Sequence, residues 1–343
     1  MATSRTGTNA PRASTSRTGT NAPRASASRT GTNAPRESTS STAARANAAA
    51  SGALDRSSLL KLTEGMVALP TLPLVATRLL RAVAQPDTTP DEIARILSLD
   101  PALTARTLRL ANSEFYGFPR RVGSVDLAVV VLGANPIRDL ALSASVFRTI
   151  GEADALMEDV WRHSLAAGVA ARILAERTRY RLESEAYAAG LLHDIGTVVL
   201  RQTDPARFQA VIAMVRDQGE TIEEAERGLF GSCHAEVGAW LAERWGLPAD
   251  LVEAIACHHR PETARRNPEL ALLVHVATSL AERAGFAWPR GVARRPIAPS
   301  AFEVVDADER KREALLGTLV EDVVRETERE RELFAEFRGS QED

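Results

Sequence analysis

The sequence predicts an all-α fold, and three observations support this class. Alanine, leucine and arginine are abundant, and aromatic residues make up only 5% of the 343 residues, which favours helices. Apolar residues recur at helical spacing in many segments. No segment shows the sustained alternation of polar and apolar residues that a half-buried strand requires, so we expect no sheet.

The first 53 residues form a predicted disordered tail. Residues 3–38 are three near-copies of one twelve-residue unit, Thr-Ser-Arg-Thr-Gly-Thr-Asn-Ala-Pro-Arg-Ala-Ser, with variants at Ala27 and Glu37. The unit has no large apolar side chain, so it cannot bury enough surface to offset the entropy lost on ordering. Residues 1–53 carry seven arginines and one acidic residue, whereas the remainder is acidic overall. Weak binding to nucleic acid stays open, but a tail without a specific partner is the simpler interpretation.

An N-terminal helical part is predicted over residues 59–150. Thr89-Pro90-Asp91-Glu92 is typical of a helix start, because proline fits the first turn and acidic side chains stabilise the positive end of the helix dipole. Asp100-Pro101 repeats this pattern and opens a helix that we expect to end near Asn112. Further helices are predicted at residues 74–83, 124–132 and 137–149.

A second, helical core is predicted over residues 154–285, so that the globular region as a whole spans 59–285. It contains all six histidines of the chain: His163, His193, His234, His258, His259 and His275. Several of them share a helical face with apolar residues. Since the apolar stripe of a helix faces the core, these imidazoles should point inward. Buried imidazoles from separate helices, together with Asp194, are the donor set of a buried metal site.

A C-terminal helical extension is predicted over residues 302–338. Apolar residues between Leu315 and Val324 form one stripe, which we expect to pack on the body of the protein or on a partner helix. The following segment, Glu326–Glu332, is almost entirely charged and is interpreted as a solvated face.

Cysteine content and hydropathy favour a cytoplasmic protein. Cys233 and Cys257 provide no disulfide framework, and we interpret them as small packing residues rather than metal ligands. No apolar run approaches the roughly 18–20 residues that a membrane span needs. The N-terminus also lacks the apolar segment of a secretory signal.

Residues 69–281 contain a set of motifs that together point to one family. The most specific stretch is Asp100-Pro-Ala-Leu-Thr-Ala-Arg-Thr-Leu-Arg-Leu-Ala-Asn-Ser113. The other motifs are Leu69-Pro-Thr-Leu-Pro73, Trp161-Arg-His-Ser164, Gly190-Leu-Leu-His-Asp-Ile-Gly196, Trp245-Gly-Leu-Pro248 and His258-His259. With these motifs the chain resembles the HDOD domain, a regulatory relative of the HD hydrolases that is common in bacterial signalling. The resemblance implies an N-terminal helical part packed on an HD-like helical core.

The resemblance also implies a metal-ligand set. In the related HD-GYP cyclic-dinucleotide phosphodiesterases, histidines and aspartates at corresponding positions bind two metals. Carried over to this sequence, the implied ligands are His163, His193, Asp194, His234, His258 and His259. Asp194 would bridge the two metals, and this donor set suits iron, manganese or zinc. The metal-free alternative is that Asp194 accepts hydrogen bonds from the imidazoles and ties the helices together.

Two positions depart from the pattern of the active enzymes. Thr197 stands where they have a lysine, and Thr278 stands where they have a final aspartate ligand. No Gly-Tyr-Pro segment follows His259 either. His275, three residues before Thr278, is a candidate replacement ligand, and the alternative is a helix residue with a hydrogen bond of its own.

The sequence therefore predicts a regulatory HDOD module of bacterial signal transduction. We expect it to act by binding a partner protein or a small effector, without catalysis of its own. Two contacts to a partner are suggested: the C-terminal helix, and Asn112-Ser113, for which a helix cap is the alternative. The alternative function is a metal-dependent HD-type phosphohydrolase, such as a cyclic-dinucleotide phosphodiesterase.

Overall fold

A computed structural model of the protein describes residues 73–113, 116–118, 120–150, 154–290 and 312–338. Within these ranges the chain consists of helices and their connections and contains no strand, so the all-α prediction is confirmed. The predicted disordered tail, the first residues of the N-terminal part up to residue 72 and the start of the C-terminal extension up to residue 311 lie outside the described residues.

The N-terminal part begins with five described helices. They are α1 (Leu74–Val83), α2 (Pro90–Leu97), α3 (Pro101–Ala111), α4 (Val125–Leu132) and α5 (Ala134–Ile150). The two predicted helix starts are confirmed: the Thr89 hydroxyl accepts the Glu92 N–H at 3.3 Å, and the Asp100 carboxylate accepts the Ala102 N–H at 2.8 Å. Helix α5 begins three residues earlier than predicted, because Gly133, at φ +92°, turns the chain directly from α4 into α5.

Asn112 ends α3 and holds the loop that follows it. Its amide group donates to the carbonyl oxygens of Leu108 at 2.7 Å and Val122 at 2.9 Å. Its side-chain oxygen accepts the Val122 N–H at 2.8 Å. These contacts agree with the capping interpretation, and they also fix the path of the chain towards α4.

The second part contains eight helices and two shorter turns among its described residues. The helices are α6 (Ala155–Thr178), α7 (Glu183–Leu192), α8 (Ile195–Thr203), α9 (Pro205–Gln218), α10 (Ile222–Phe230), α11 (His234–Arg244), α12 (Ala249–Cys257) and α13 (Pro268–Ala281). A 3₁₀ turn at Pro261–Thr263 precedes α13, and a π-helical turn at Glu282–Phe286 follows it. The long helix α6 packs against both α7 and α13, while α11 packs against α8 and α12.

Glycines bring the backbones of the central helices together. A Cβ atom on Gly196 would lie 2.0 Å from the His234 carbonyl oxygen, so α8 and α11 meet at a distance that only glycine permits. A Cβ atom on Gly190 would lie 2.5 Å from the Ala167 carbonyl oxygen, where α7 meets α6. These two glycines flank His193 and Asp194, and they set the distance between the elements that carry the predicted ligands.

The C-terminal helix α14 (Arg312–Arg338) packs on the body of the protein, principally on α6, α3 and α5. Leu319 and Val323 in its apolar half are buried, as is Phe334 near its end. The ring centroids of Phe334 and Trp161, a residue of α6, lie 4.7 Å apart. Of the two predicted alternatives for the apolar stripe, packing on the body is therefore confirmed.

The prediction of a solvated face for Glu326–Glu332 is wrong on one side of α14. Glu330 is buried, accepts a hydrogen bond from the Tyr187 hydroxyl at 2.9 Å and pairs with Arg172 at 2.7 Å. Arg172 also pairs with the buried Asp139 of α5 at 3.1 Å. One acid of the charged run can be buried because the body supplies a cation and a hydroxyl for its carboxylate.

No single described helix is long and apolar enough to cross a membrane. Among the described helices, α4 together with residues 134–146 of α5 is the one pair that meets the requirements of length and composition, and the chain bends by 110° between them.

Candidate metal centre

The structure brings all six predicted ligands together. They come from the middle of α6 (His163), the turn between α7 and α8 (His193 and Asp194), the first residue of α11 (His234) and the two residues after α12 (His258 and His259). Five of the six are buried, and the side chain of His259 is 12% exposed. Helix α12 ends at Cys257, so His258 and His259 lie just beyond it.

The Asp194 carboxylate lies at the middle of the cluster. Its Oδ2 atom faces His193 Nε2 at 3.2 Å and His163 Nε2 at 3.8 Å. Its Oδ1 atom faces His234 Nε2 at 3.3 Å and His258 Nε2 at 3.7 Å. Each carboxylate oxygen is therefore shared by two imidazoles, which is the placement expected of a bridging carboxylate.

The donor atoms fall into two groups, each with all atoms within 4.8 Å of one another. One group is His163, His193 and Asp194, and the other is His234, His258 and His259. Asp194 connects the two groups through its second oxygen. The arrangement offers two adjacent positions for a cation.

Backbone carbonyls orient three of the imidazoles. His163 Nδ1 lies 2.9 Å from the Phe286 oxygen, His193 Nδ1 lies 2.7 Å from the Gly190 oxygen, and His258 Nδ1 lies 2.7 Å from the Ile255 oxygen. A carbonyl oxygen can only accept a hydrogen bond, so each Nδ1 carries the proton. In the neutral ring the Nε2 lone pair then points towards the centre, which is the tautomer of a metal-ligating histidine.

The donor set fits a divalent transition metal. The Nε2 atoms of His193 and His258 are buried and have no hydrogen-bond partner. His193 Nε2 faces a carboxylate oxygen across 3.2 Å in the buried centre. Two facing electron-pair donors are unfavourable there unless a metal ion lies between them or Nε2 carries a proton that it donates to Asp194. Three or more imidazoles with one carboxylate suit zinc, iron or manganese.

Charge within the centre is consistent with this donor set. Burial alone would raise the pKa of Asp194, but the neighbouring imidazoles, His193 and His234 foremost, hold it well below its ordinary value. Burial and the neighbouring His193 hold the pKa of His258 well below its ordinary value as well. The site therefore presents an ionised carboxylate to at least one neutral imidazole.

Glu226 is a functional candidate that the sequence interpretation missed. This buried residue of α10 accepts the His234 backbone N–H at 2.8 Å and lies 2.7 Å from His234 Nδ1. Burial opposes protonation of His234, but Glu226 and Asp194 outweigh it and raise the pKa of His234 to about 9. A signal was present in the sequence, since Glu226 lies on the apolar face of α10 with Ile222 and Phe230, where an unpaired carboxylate would be costly.

Trp288 is a second residue that was missed. Its indole Nε1–H donates to Asp194 Oδ2 at 2.7 Å, and the ring is buried. Nothing in the local sequence indicates this contact, because Trp288 lies 94 positions from Asp194 and follows the last helix of the core.

The remaining candidates do not join the centre. His275 Nδ1 lies 2.9 Å from the His258 carbonyl oxygen, and neither group of converging donor atoms includes His275. The Thr278 hydroxyl donates to the Val274 carbonyl at 2.9 Å, so it is engaged within its own helix. Thr197 is buried. Cys233 and Cys257 belong to neither group, and burial raises the pKa of the Cys233 thiol to about 12.

The helical fold and the histidine–aspartate centre define an all-α protein with an HD-like core. The family model of the HDOD domain matches residues 69–261, which is more than half of the chain, and the protein belongs to the HDOD family. The resemblance expected from the sequence motifs is thereby confirmed.

Three solved structures are similar to this chain along most of its length. An HDOD domain protein of unknown function from Geobacter sulfurreducens is 28% identical, with a TM-score of 0.65 and coverage of 80% of this chain and 97% of that one. A Shewanella amazonensis protein described as a "putative phosphohydrolase" is 28% identical, with a TM-score of 0.61 and coverage of 83% and 100%. A Marinobacter aquaeolei protein described as a "putative signal transduction protein" shares the fold, with a TM-score of 0.68 at 24% identity and coverage of 85% and 67%.

Two curated proteins match parts of the sequence. An uncharacterized protein of Treponema pallidum is 29% identical over 192 residues, which are 56% of this chain and 37% of that protein. Ribonuclease Y of Pelobacter propionicus is 28% identical over 162 residues, which are 46% of this chain and 25% of that enzyme. The matched segments thus span well under half of either relative.

Proposed function

We propose that the chain is a metal-binding regulatory HDOD module of bacterial signal transduction, which works by binding a partner protein or a small effector rather than by turnover. The observation that carries the metal is the convergence on Asp194 of imidazole lone pairs, two of which have no hydrogen-bond partner. The two free thiols, Cys233 and Cys257, suit the reducing cytoplasm in which we place the protein.

The ligands His163, His193, Asp194, His234, His258 and His259 would hold one or both ions, and iron, manganese or zinc are the candidates. A bound ion would supply the positive charge that the converging lone pairs and the carboxylate lack. His163, Asp194 and His234 belong to separate elements of the chain, so a centre whose two donor groups share Asp194 joins α6, the α7–α8 turn and α11. Binding energy of this kind becomes folding energy of the core.

Three features support regulation rather than hydrolysis. Thr197 supplies no cation where the related enzymes have lysine, and the Thr278 hydroxyl is engaged with the Val274 carbonyl. In addition, most of the donor set is buried, whereas a catalytic metal keeps an open position for water or substrate.

The outer face of α14 is the proposed surface for a partner. The inner face of this helix is occupied by the body, so only the outer face, which includes the 38%-exposed Val324, remains for another protein. A partner would therefore contact the outer face alone. Deletion of the whole helix would not test this contact, because it would also expose the core beneath the helix.

A turnover assay on metal-loaded protein tests the regulatory assignment. The protein is loaded separately with Mn²⁺, Zn²⁺ and, without oxygen, Fe²⁺, and is offered cyclic dinucleotides and a phosphomonoester. We expect product formation no faster than with Asp194→Ala, and binding of a substrate without turnover would support an effector role. Hydrolysis that exceeds the Asp194→Ala background would overturn the assignment.

The second candidate is a metal-dependent phosphohydrolase. It is favoured by the six converging residues of the predicted ligand set and by the similarity to the Shewanella protein and to part of ribonuclease Y. In that case the same assay gives turnover that depends on metal and is lost in Asp194→Ala.

A further inference from the structure

The chain returns to the metal centre after its last core helix. The turn Glu282–Phe286 follows α13 directly, and Gly285, at φ +91°, redirects the chain. Phe286 and Trp288 are both buried beyond this turn. Arg290 then pairs with Asp159 of α6, so that both ends of residues 286–290 are attached to the core.

This segment contacts one half of the centre at two points. The Phe286 carbonyl accepts the proton of His163 Nδ1 at 2.9 Å, and the Phe286 ring packs on Ala166, Ala167 and Ala281. The Trp288 indole N–H donates to Asp194 Oδ2 at 2.7 Å, and this is the oxygen that faces His163 and His193. The segment therefore orients one imidazole and the central carboxylate together.

The contact of Trp288 restricts what Asp194 Oδ2 can do. A carboxylate oxygen has two lone-pair directions, and the indole N–H takes one of them. The same oxygen lies 3.2 Å from His193 Nε2 and 3.8 Å from His163 Nε2. The rotation of the carboxylate is thereby held in the position that shares its two oxygens between the two groups of donors.

We infer that Trp288 is a positioning residue for Asp194 and the wall that closes the His163–His193–Asp194 half of the centre. The positioning role, which is tested by metal affinity, rests on the proposed metal binding. The closure of this half of the centre does not depend on a bound metal. Donors that hold a metal ligand from outside the ligand set typically change metal affinity by about 10–100-fold when they are lost. A closed metal position is typical of a structural ion rather than a catalytic one.

Closure is tested on metal-free protein by chemical modification of histidine. Diethyl pyrocarbonate acylates accessible neutral imidazoles, and mass spectrometry reports the rate at each histidine. We expect slow modification of His163 and His193 in the wild type and in Trp288→Phe, which keeps a ring in place, and at least about tenfold faster modification in Trp288→Ala. His259, which is partly exposed, is the internal reference for reagent activity. Equal rates at His193 in all three proteins would overturn closure.

Positioning is tested by metal affinity and by the spectrum of a bound probe ion. Trp288→Phe removes only the N–H, so we expect about tenfold weaker Zn²⁺ binding and a shifted Co²⁺ absorption spectrum, while Trp240→Phe, a buried tryptophan on α11, leaves both unchanged. Trp288→Ala should also lose metal to a chelator faster than Trp288→Phe.

A Trp288→Phe variant with the Zn²⁺ affinity and the Co²⁺ spectrum of the wild type would overturn positioning. A wild type that binds no metal would overturn both positioning and the proposed metal centre, and the modification rates would then still decide closure.

Discussion

Asp194 and Gly196 lie two residues apart and make different contributions to the same site. Asp194 supplies the carboxylate on which four imidazoles converge. Gly196 has no side chain, and its missing Cβ allows the backbone of α8 to lie against the first residue of α11, which is His234. Asp194 provides the negative charge of the site, and Gly196 permits the short distance between α8 and α11.

Substitution of Gly196 by alanine should destabilise the protein strongly. The added Cβ would lie 2.0 Å from the His234 carbonyl oxygen and 2.5 Å from the Gly238 nitrogen, so two backbones must separate. We expect a loss of at least about 2–3 kcal/mol in the free energy of unfolding, measured by urea denaturation. Gly228→Ala is the matched control, since no atom lies within 4 Å of its Cβ, and it should stabilise α10 by about 0.5–1 kcal/mol. Equal stability of the two variants would contradict the close approach of α8 and α11.

Glu226→Gln should weaken metal binding without removing a ligand. Glutamine keeps the size of the side chain but loses the charge that polarises His234 Nδ1. We expect an affinity for Zn²⁺ lower by about 10–100-fold in a chelator competition titration. Glu224→Gln, on the exposed side of the same helix, should bind as the wild type does. Identical affinities of both variants would show that Glu226 does not support the centre.

Motif by motif, the sequence was sufficient to name the residues that converge on Asp194 but not the residues that orient them. His163, His193-Asp194 and His258-His259 each lie in a motif that the resemblance to the HDOD domain includes. Trp288 cannot, because its importance depends on a contact with Asp194 that exists only after folding. Glu226 is intermediate, since its position on an apolar helix face signals a buried partner but does not identify His234.

At the scale of elements, α14 completes the core instead of extending away from it. Its apolar residues pack on α6, α3 and α5, and its buried Glu330 meets Arg172 and Tyr187. Burial raises the pKa of Glu330, and the cation of Arg172 opposes that effect. The helix is thereby attached by an apolar half and by one polar contact in its charged half.

Leu319→Ala tests the contribution of α14. The Leu319 side chain is completely buried, so its truncation should leave a cavity and lower the free energy of unfolding by about 2–5 kcal/mol. Val324→Ala, on the exposed side of the same helix, should change it by less than about 1 kcal/mol. Thermal or urea denaturation measures both, and a small effect of Leu319→Ala would mean that α14 does not pack on the body in solution.

The boundaries of elements were predictable where the local chemistry is strong. Thr89 and Asp100 cap helices with their own side chains, so their positions follow from a few neighbouring residues. The burial of Glu330 could not be predicted, because a run of charges indicates a solvated face unless its partners are known. Those partners, Arg172 and Tyr187, lie more than 140 residues earlier in the chain.

Across the whole molecule, the histidine–aspartate centre joins parts of the chain that are distant in sequence. Its donors extend from His163 to His259, and Phe286 and Trp288 contact it from beyond α13. An ion at this position would therefore act on the stability of the entire core, not on one helix.

Removal of metal should lower the unfolding temperature of the wild type. An ion present at about 100 times its dissociation constant stabilises the native state by about 2.7 kcal/mol, which corresponds to about 5–10 °C for a chain of this size. Differential scanning calorimetry with and without a chelator measures the shift. Asp194→Ala should unfold at the same temperature in both conditions. A chelator effect of equal size in Asp194→Ala would place the stabilising ion elsewhere.

The metal content of the purified and reconstituted protein tests the central claim most directly. Inductively coupled plasma mass spectrometry should find about one to two transition-metal ions per chain in the wild type and in the control Asp217→Ala, which changes an exposed aspartate of α9. Asp194→Ala should retain almost none. A wild type that stays free of metal after reconstitution, or an Asp194→Ala variant that binds as much as the wild type, would contradict the assignment of Asp194 and its imidazoles as a metal centre.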